Sequence, residues 1–184
     1  MAEDALRRGD TARRDGRLTD AAAAFAEAAK LLRGGDHPSR LAHALTRQAQ
    51  ISRDALRYSE ARYYQGEALA LARRLDDPSL PHVVRHMGDI LLDCDDLDAA
   101  GTLYAEMMDL YRKAPDTPPL ELANALRSLA CHTEAVGNRR EAAALWRDVR
   151  LRYAALDEVF RDTYGVTANP GVEEADRRLR ALGE

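Results

Sequence analysis

Apolar and polar residues alternate along this chain with a period near 3.6, which gathers positions i, i+3, i+4 and i+7 on one helix face. The stretch Leu80–Cys94, LPHVVRHMGDILLDC, shows the pattern most clearly. Val84, Met87, Leu91 and Cys94 line one side of a helix there, while His82, Arg85, His86, Asp89 and Asp93 line the other. The same periodicity predicts helices over Asp4–Arg14, Ala21–Leu32, Ser39–Leu56, Ser59–Leu75, Leu97–Lys113, Leu120–Val136, and from Arg139 to at least Leu156. Thr19 or Asp20 is the expected cap of the second helix. Between the helices stand Gly16, Gly34-Gly35, Pro38, Asp76-Asp77-Pro78, Pro115, Pro118-Pro119 and Gly137, which punctuate the pattern. No segment alternates with period two, so the expected fold class is all-α.

The end of the chain is less regular. Asp157–Gly165 reads as a prolongation of the eighth helix, with Phe160 and Tyr164 needing cover. Asn169-Pro170 reads as the N-cap and first residue of a last helix, with Val172, Ala175, Leu179 and Leu182 on one face. That helix is expected to cap the end of the array. The alternative is that it docks on a second copy and makes a homodimer.

The paired helices repeat. Small residues open the second helix of each pair at Ala21, Ala61, Ala100 and Ala142, at spacings of 40, 39 and 42 residues. Four residues on lie Phe25, Gln65, Tyr104 and Trp146, and seven on lie Ala28, Ala68, Met107 and Val149. Twelve residues upstream lie Gly9, Ala49, Gly88 and Ala130. Small residues at fixed offsets allow close helix contact, and a large neighbour fills the space beside them. A constant period of this length marks a stacked repeat.

This pattern resembles the tetratricopeptide repeat (TPR) family from about Ala5 to Leu156. Repeat one carries its small and aromatic positions as Gly9, Ala21, Phe25 and Ala28, repeat three as Gly88, Ala100 and Tyr104, and repeat four as Ala130, Ala142 and Trp146. The units exceed the family's usual length of about 34 residues. Gln65 stands where an aromatic is usual, beside Tyr63 and Tyr64, and Met107 stands where alanine is usual. The runs Val84–Asp89 and Leu120–Arg127 are similar to bacterial TPR proteins. The resemblance implies a right-handed α-solenoid of four helix hairpins plus a C-terminal capping helix. Its repeats would span about residues 4–35, 39–77, 80–114 and 120–157 of one domain, 1–184, with the irregular segment and cap over 158–184.

Composition narrows the function classes. A 46% hydrophobic share with only 5% aromatics favours close-packed helices over a β-sandwich. The net charge of −4, from 31 acids against 27 bases, leaves no basic excess to drive nucleic-acid binding. Lys30 and Lys113 are the only lysines, which fits a GC-rich bacterial genome. The polar start and the absence of a long apolar run point to neither export nor membrane insertion. Cys94 and Cys131 suit a reduced compartment, so the cytoplasm is expected.

No catalytic motif is recognisable: the chain lacks GxSxG, a P-loop, HExxH and CxxC. The acids Asp93–Asp98 lack the glycine and glutamate of a calcium loop, and are expected to fill a turn. His82, His86 and Asp89 have acceptable zinc spacing but no assured fourth ligand, so no metal or other cofactor is expected. In the TPR family the first, or A, helices line a concave groove that holds peptides, where Asn with Arg or Lys can grip a terminal carboxylate. The residues that would line it here are His43, Arg47, Gln50, His82, Arg85, Asp89, Asn124 and Arg127. Polar residues opposite an apolar stripe also describe a solvated helix face. Here His, Asn, Gln and Arg replace the usual Glu/Lys pairs, and acids alternate with the bases. The reading is therefore a non-enzymatic interaction module for a protein or peptide segment of mixed charge. The alternatives are a self-associating scaffold, or a sensor module acting on another protein.

Overall fold

The computed structural model describes residues 1–114, 116–165 and 168–184. Pro115, expected as a boundary, and the cover expected for the Tyr164 side chain lie outside the described residues. The helices are α1 (Ala2–Arg14), α2 (Leu18–Leu32), α3 (Pro38–Asp54), α4 (Tyr58–Leu75), α5 (Leu80–Asp93), α6 (Leu97–Lys113), α7 (Pro119–Ala135), α8 (Arg139–Ala154), α9 (Asp157–Tyr164) and α10 (Pro170–Leu182). Two compact units divide the chain, Met1–Asp96 and Leu97–Glu184.

In the first unit α1 pairs with α2 and α3 with α4, while α2 packs on α3 and α4 on α5. Alanines at the repeat positions, Ala21, Ala28, Ala49, Ala61 and Ala68, are fully buried. Phe25 fills the space that Gly9 leaves: a Cβ at residue 9 would lie 2.5 Å from the Phe25 ring. Gln65, at the aromatic position of repeat two, is also fully buried. Its amide nitrogen donates to the Val83 carbonyl at 2.8 Å, while its Oε1 has no hydrogen-bond partner among the described residues. An unpaired buried carbonyl of this kind costs about 1–3 kcal/mol.

In the second unit α6 packs on α7, α7 pairs with α8, and α10 packs on α8. Trp146 is fully buried in a core with Ala123, Leu126, Ala142, Val149 and Tyr153, and Ala175 of α10 belongs to it. Val172, Leu179 and Leu182 pack against the same core. Asn169 caps α10 as the Asn-Pro pair predicts, its Oδ1 accepting from Gly171 N at 3.1 Å.

Some boundaries differ from expectation. Helix α2 begins at Leu18 with no side-chain cap bond, ahead of Thr19 and Asp20. Helix α8 stops at Ala154, because the Leu156 N–H tightens onto the Tyr153 carbonyl (2.9 Å) while the Leu156 side chain enters the core. Asp157–Tyr164 is then a separate helix. Cys94 leaves the apolar face of α5: it is the exposed C-cap.

The turns inside the repeats share one geometry. Gly16, Leu56, Asp95 and Gly137 all adopt left-handed φ values, of 74°, 58°, 60° and 82°. Each lies five residues before its repeat's Ala21, Ala61, Ala100 or Ala142. After each, an N–H reaches back five residues: Arg17 to Ala12, Arg57 to Ser52, Asp96 to Leu91 and Asn138 to Thr133, at 2.7–3.1 Å. These are Schellman endings, whose left-handed residue is usually glycine. Leu56 there is 72% exposed, so its side chain gains little burial for its backbone strain. The left-handed region disfavours a Cβ by about 1–2 kcal/mol, partly offset by the unfolded-state freedom that glycine adds. Leu56→Gly should therefore stabilise the chain by about 0.5–1 kcal/mol in urea unfolding. A lower midpoint would show that the Leu56 side chain holds the turn.

Candidate functional site

The A helices of the first unit, α1, α3 and α5, present a polar face, and the repeat register explains its construction. Arg13 and Arg53 stand 40 residues apart at the same register position. Each reaches an aspartate of the following A helix, Arg13 to Asp54 at 3.0 Å and Arg53 to Asp93 at 2.5 Å. Arg47 reaches back to Asp10 at 3.3 Å. The helices are thus stitched rung to rung by charge-assisted bonds.

Six of the residues expected in the groove come together on this face: His43, Arg47, Gln50, His82, Arg85 and Asp89. Gln50, Arg85 and Asp89 are buried, Arg47 and His82 half-buried, and His43 exposed. Arg13 Nη1 (2.8 Å) and Arg47 Nη1 (3.1 Å) both donate to Gln50 Oε1, which orients the amide. The Gln50 Nε2 therefore donates to His86 Nε2, at 2.7 Å. Arg85 Nη2 at 3.1 Å and His82 Nε2 at 3.1 Å converge on the same nitrogen. An acceptor surrounded by donors must carry a lone pair. His86 is accordingly neutral and holds its proton on Nδ1, toward Asp89 Oδ2 at 3.9 Å. Burial, reinforced by the charges of Arg85, His82, Arg53 and Arg13, pushes the His86 pKa well below its ordinary 6.5. Desolvation and then the Arg47 charge lower His43 as well.

Arg85 is only 7% exposed, and beside its 3.1 Å contact with His86 its other contacts are long: Nη1 to Asp89 at 3.4 Å and Nη2 to His82 at 3.4 Å. Its Nε has no hydrogen-bond partner among the described residues. Arg13 was not among the residues expected in the groove; its helix also carries Arg7 and Arg14. Those two turn to Asp4 and Thr11 on their own helix. The forty-residue match of Arg13 to Arg53 was the available signal. Among the described residues, no group of three His, Cys, Asp or Glu side chains could hold a metal ion.

In the second unit Asn124 and Arg127 stand on α7, already engaged by the chain. Arg127 makes a fork with Glu174 of α10, Nε at 2.5 Å and Nη2 at 2.8 Å. Desolvation works against the guanidinium charge, but the Glu174 hydrogen bonds help outweigh it, and the Arg127 pKa is raised. Asn124 Oδ1 accepts from the Tyr153 hydroxyl at 2.6 Å. Gly171 permits this arrangement, since a Cβ there would lie 2.4 Å from the Tyr153 ring. Arg178 of α10 bonds Glu134 at 3.2 Å and lies over Trp146, 5.8 Å from the ring centroid.

No protein-family model matches the sequence, and no curated protein matches it. Solved structures do. The nearly identical TPR-like repeats of a putative kinesin light chain from Podosopora anserina share 16% identity, with a TM-score of 0.67 over 100% of this chain and 96% of that one. BtubC (BKLC) from P. vanneervenii shares 14%, with a TM-score of 0.64 over 95% and 76%. Aspartyl phosphate phosphatase F from Bacillus subtilis shares 14%, with a TM-score of 0.68 over 99% of this chain, which spans 48% of its length. The likeness shows an all-α solenoid of helix hairpins with extra capping helices, TPR-like in architecture. It does not single out a bacterial TPR family. Among the described residues no helix is long and apolar enough to cross a membrane.

The neutral state of His86 gives a pH dependence of known sign. Unfolded His86 takes up a proton as pH falls through 6.5, while the folded side chain resists it until well below. Stability is therefore unaffected above that value and falls as pH drops beneath it. Thermal melts from about pH 7.5 to 5 should show a steeper loss of Tm in the parent than in His86→Gln; parallel slopes would contradict the assignment. For the second unit, a double-mutant cycle of Arg127→Gln and Glu174→Gln should give a coupling of about 1 kcal/mol. A coupling near zero would mean the fork is loose in solution.

Proposed function

We propose that this chain is a non-enzymatic interaction module that binds a peptide or protein segment on the polar A-helix face of its first unit. The observation that carries this reading is Arg85. A guanidinium this deeply buried is held by one contact of ordinary length, to His86 at 3.1 Å, and two of 3.4 Å, and its Nε has no hydrogen-bond partner among the described residues, beside a Gln50 amide already oriented by two arginines. A segment of mixed charge suits the face, where Arg47 pairs with Asp10 and Arg13 with Asp54. On the second unit, Arg127 takes part to the extent that a ligand group replaces Glu174, and Asn124 to the extent that one replaces the Tyr153 hydroxyl. The reduced cytoplasm is the proposed compartment, supported by two free thiols, one of them exposed.

A second reading, a regulatory module acting on another protein, draws on the fold likeness to aspartyl phosphate phosphatase F. Self-association through α10 has less support, because Val172, Ala175, Leu179 and Leu182 pack into the chain's own core.

The test compares capture of partners by the tagged parent, by Arg47→Ala/Gln50→Ala and by Asn124→Ala/Arg127→Ala, with helical content followed by circular dichroism. The first variant should lose at least about tenfold in captured partner at unchanged helicity, and the second less. Undiminished capture by the first variant would remove the binding assignment from this face.

A further inference from the structure

His82 and His86 both commit a ring nitrogen to Arg85. A guanidinium has only donors, so every ring nitrogen it approaches must accept. Arg85 Nη2 lies 3.4 Å from His82 Nδ1 and 3.1 Å from His86 Nε2. A neutral imidazole has one acceptor nitrogen and one N–H. His82 therefore carries its proton on Nε2 and His86 on Nδ1, as opposite tautomers. The 3.1 Å contact between their Nε2 atoms is then a hydrogen bond from His82 to His86. Both lone pairs of the histidine pair point at a single nitrogen of Arg85. Wherever the next proton binds, on His82 Nδ1 or on His86 Nε2, it stands between a cationic ring and the guanidinium.

The surroundings decide which group yields. Gln50, which also donates to His86, is held in place by Arg13 and Arg47. Arg85 is anchored less: its Nε has no hydrogen-bond partner among the described residues, and its Nη1 reaches Asp89 at 3.4 Å. Asp89 does not depend on Arg85 for its counter-charge. Arg53 stands 3.6 Å from it, and a protonated His86 places a cationic ring with Nδ1 3.9 Å away. The other charges around the histidine pair come from α3 and α1. His43, Arg47 and Arg53 of α3 and Arg13 of α1 add positive charge or the capacity for it. Asp10, Asp93 and Asp54 already answer Arg47, Arg53 and Arg13. Helix α4 meets α5 at the Val83 carbonyl through the uncharged Gln65. With its anions matched, the cluster accommodates a proton by giving up one cation, and Arg85 is the least anchored.

We propose that His82 and His86 form an acid-operated latch on Arg85: a proton taken from water by either ring expels the guanidinium from the cluster and presents it on the A-helix face. At neutral pH the face is closed over Arg85, and in acid it gains a solvent-facing cation. The consequence for a partner rests on the reading of this face as a binding surface; the latch itself does not, and its test needs no partner. Nitrogen-15 spectra of the full chain read both rings and the guanidinium, with Arg85→Lys identifying the Arg85 Nε resonance. At about pH 7.5 the rings should show opposite tautomers, and Arg85 Nε should be as rigid as the backbone, with an order parameter of about 0.85. As the pH falls toward about 4.5 and either ring takes a proton, that value should drop below about 0.6. Arg127 Nε, forked to Glu174 in the second unit, should stay rigid throughout. In His82→Gln/His86→Gln the Arg85 order parameter should no longer depend on pH. Like tautomers, no ring protonation above about pH 4.5, an Arg85 that stays rigid beside a protonated ring, or the same loosening in the double variant would each overturn the latch. Loss of order at Arg127 as well would overturn it too, since the chain would then be unfolding.

Discussion

Close approach between a small residue on one helix and a ring on another is the constraint from which the rest follows. At Gly9 and Phe25 the two helices come so near that a single methyl group would overlap the ring. Gly171 and Tyr153 repeat the arrangement at the other end of the chain. Interiors packed to this density do not slide, so the pairing fixes the rotation of each A helix about its axis. That rotation decides which residues face the neighbouring A helix. The stitching of Arg13 to Asp54 and of Arg53 to Asp93 depends on it.

The polar face is ordered from its edge inward. Two arginines orient the Gln50 amide, that amide leaves His86 as an acceptor, and neutrality of His86 follows from geometry before any electrostatic argument. Burial and neighbouring guanidinium groups act in the same direction. Such a network stabilises only while each member has its partner. Arg85, whose Nε has no hydrogen-bond partner among the described residues, is the member with donor capacity left for a ligand. The second unit shows what satisfaction looks like: Arg127 has Glu174 in a two-point fork.

Much of the fold was legible because its determinants are local and repeated. Alanine and glycine at constant offsets imply close helix pairs whatever the remaining residues are. The left-handed turn was half visible: glycine announces it at Gly16 and Gly137, while Leu56 and Asp95 conceal it under residues that bear a Cβ. Only the register, carried from one repeat to the next, would have found those two. Arg13 was missed because a helix wheel drifts over three turns, so the choice between neighbouring arginines needs the helix opposite. The engagement of Asn124 and Arg127 was not legible either. Gly171 and Glu174 lie beyond the repeats, where the register says nothing, and the contacts of Asn124 and Arg127 join segments 29 and 47 residues apart. The state of His86 arises from the convergence of three side chains and has no signature in spacing.

The central claim is that the A-helix face of the first unit meets a partner. Site-specific photocrosslinking tests it most directly, with benzoylphenylalanine at His43, exposed on that face, and at Glu27, exposed on α2. Irradiation in cells should give a discrete adduct from position 43 and none from position 27. An adduct from position 27 alone, or none from either, would contradict it.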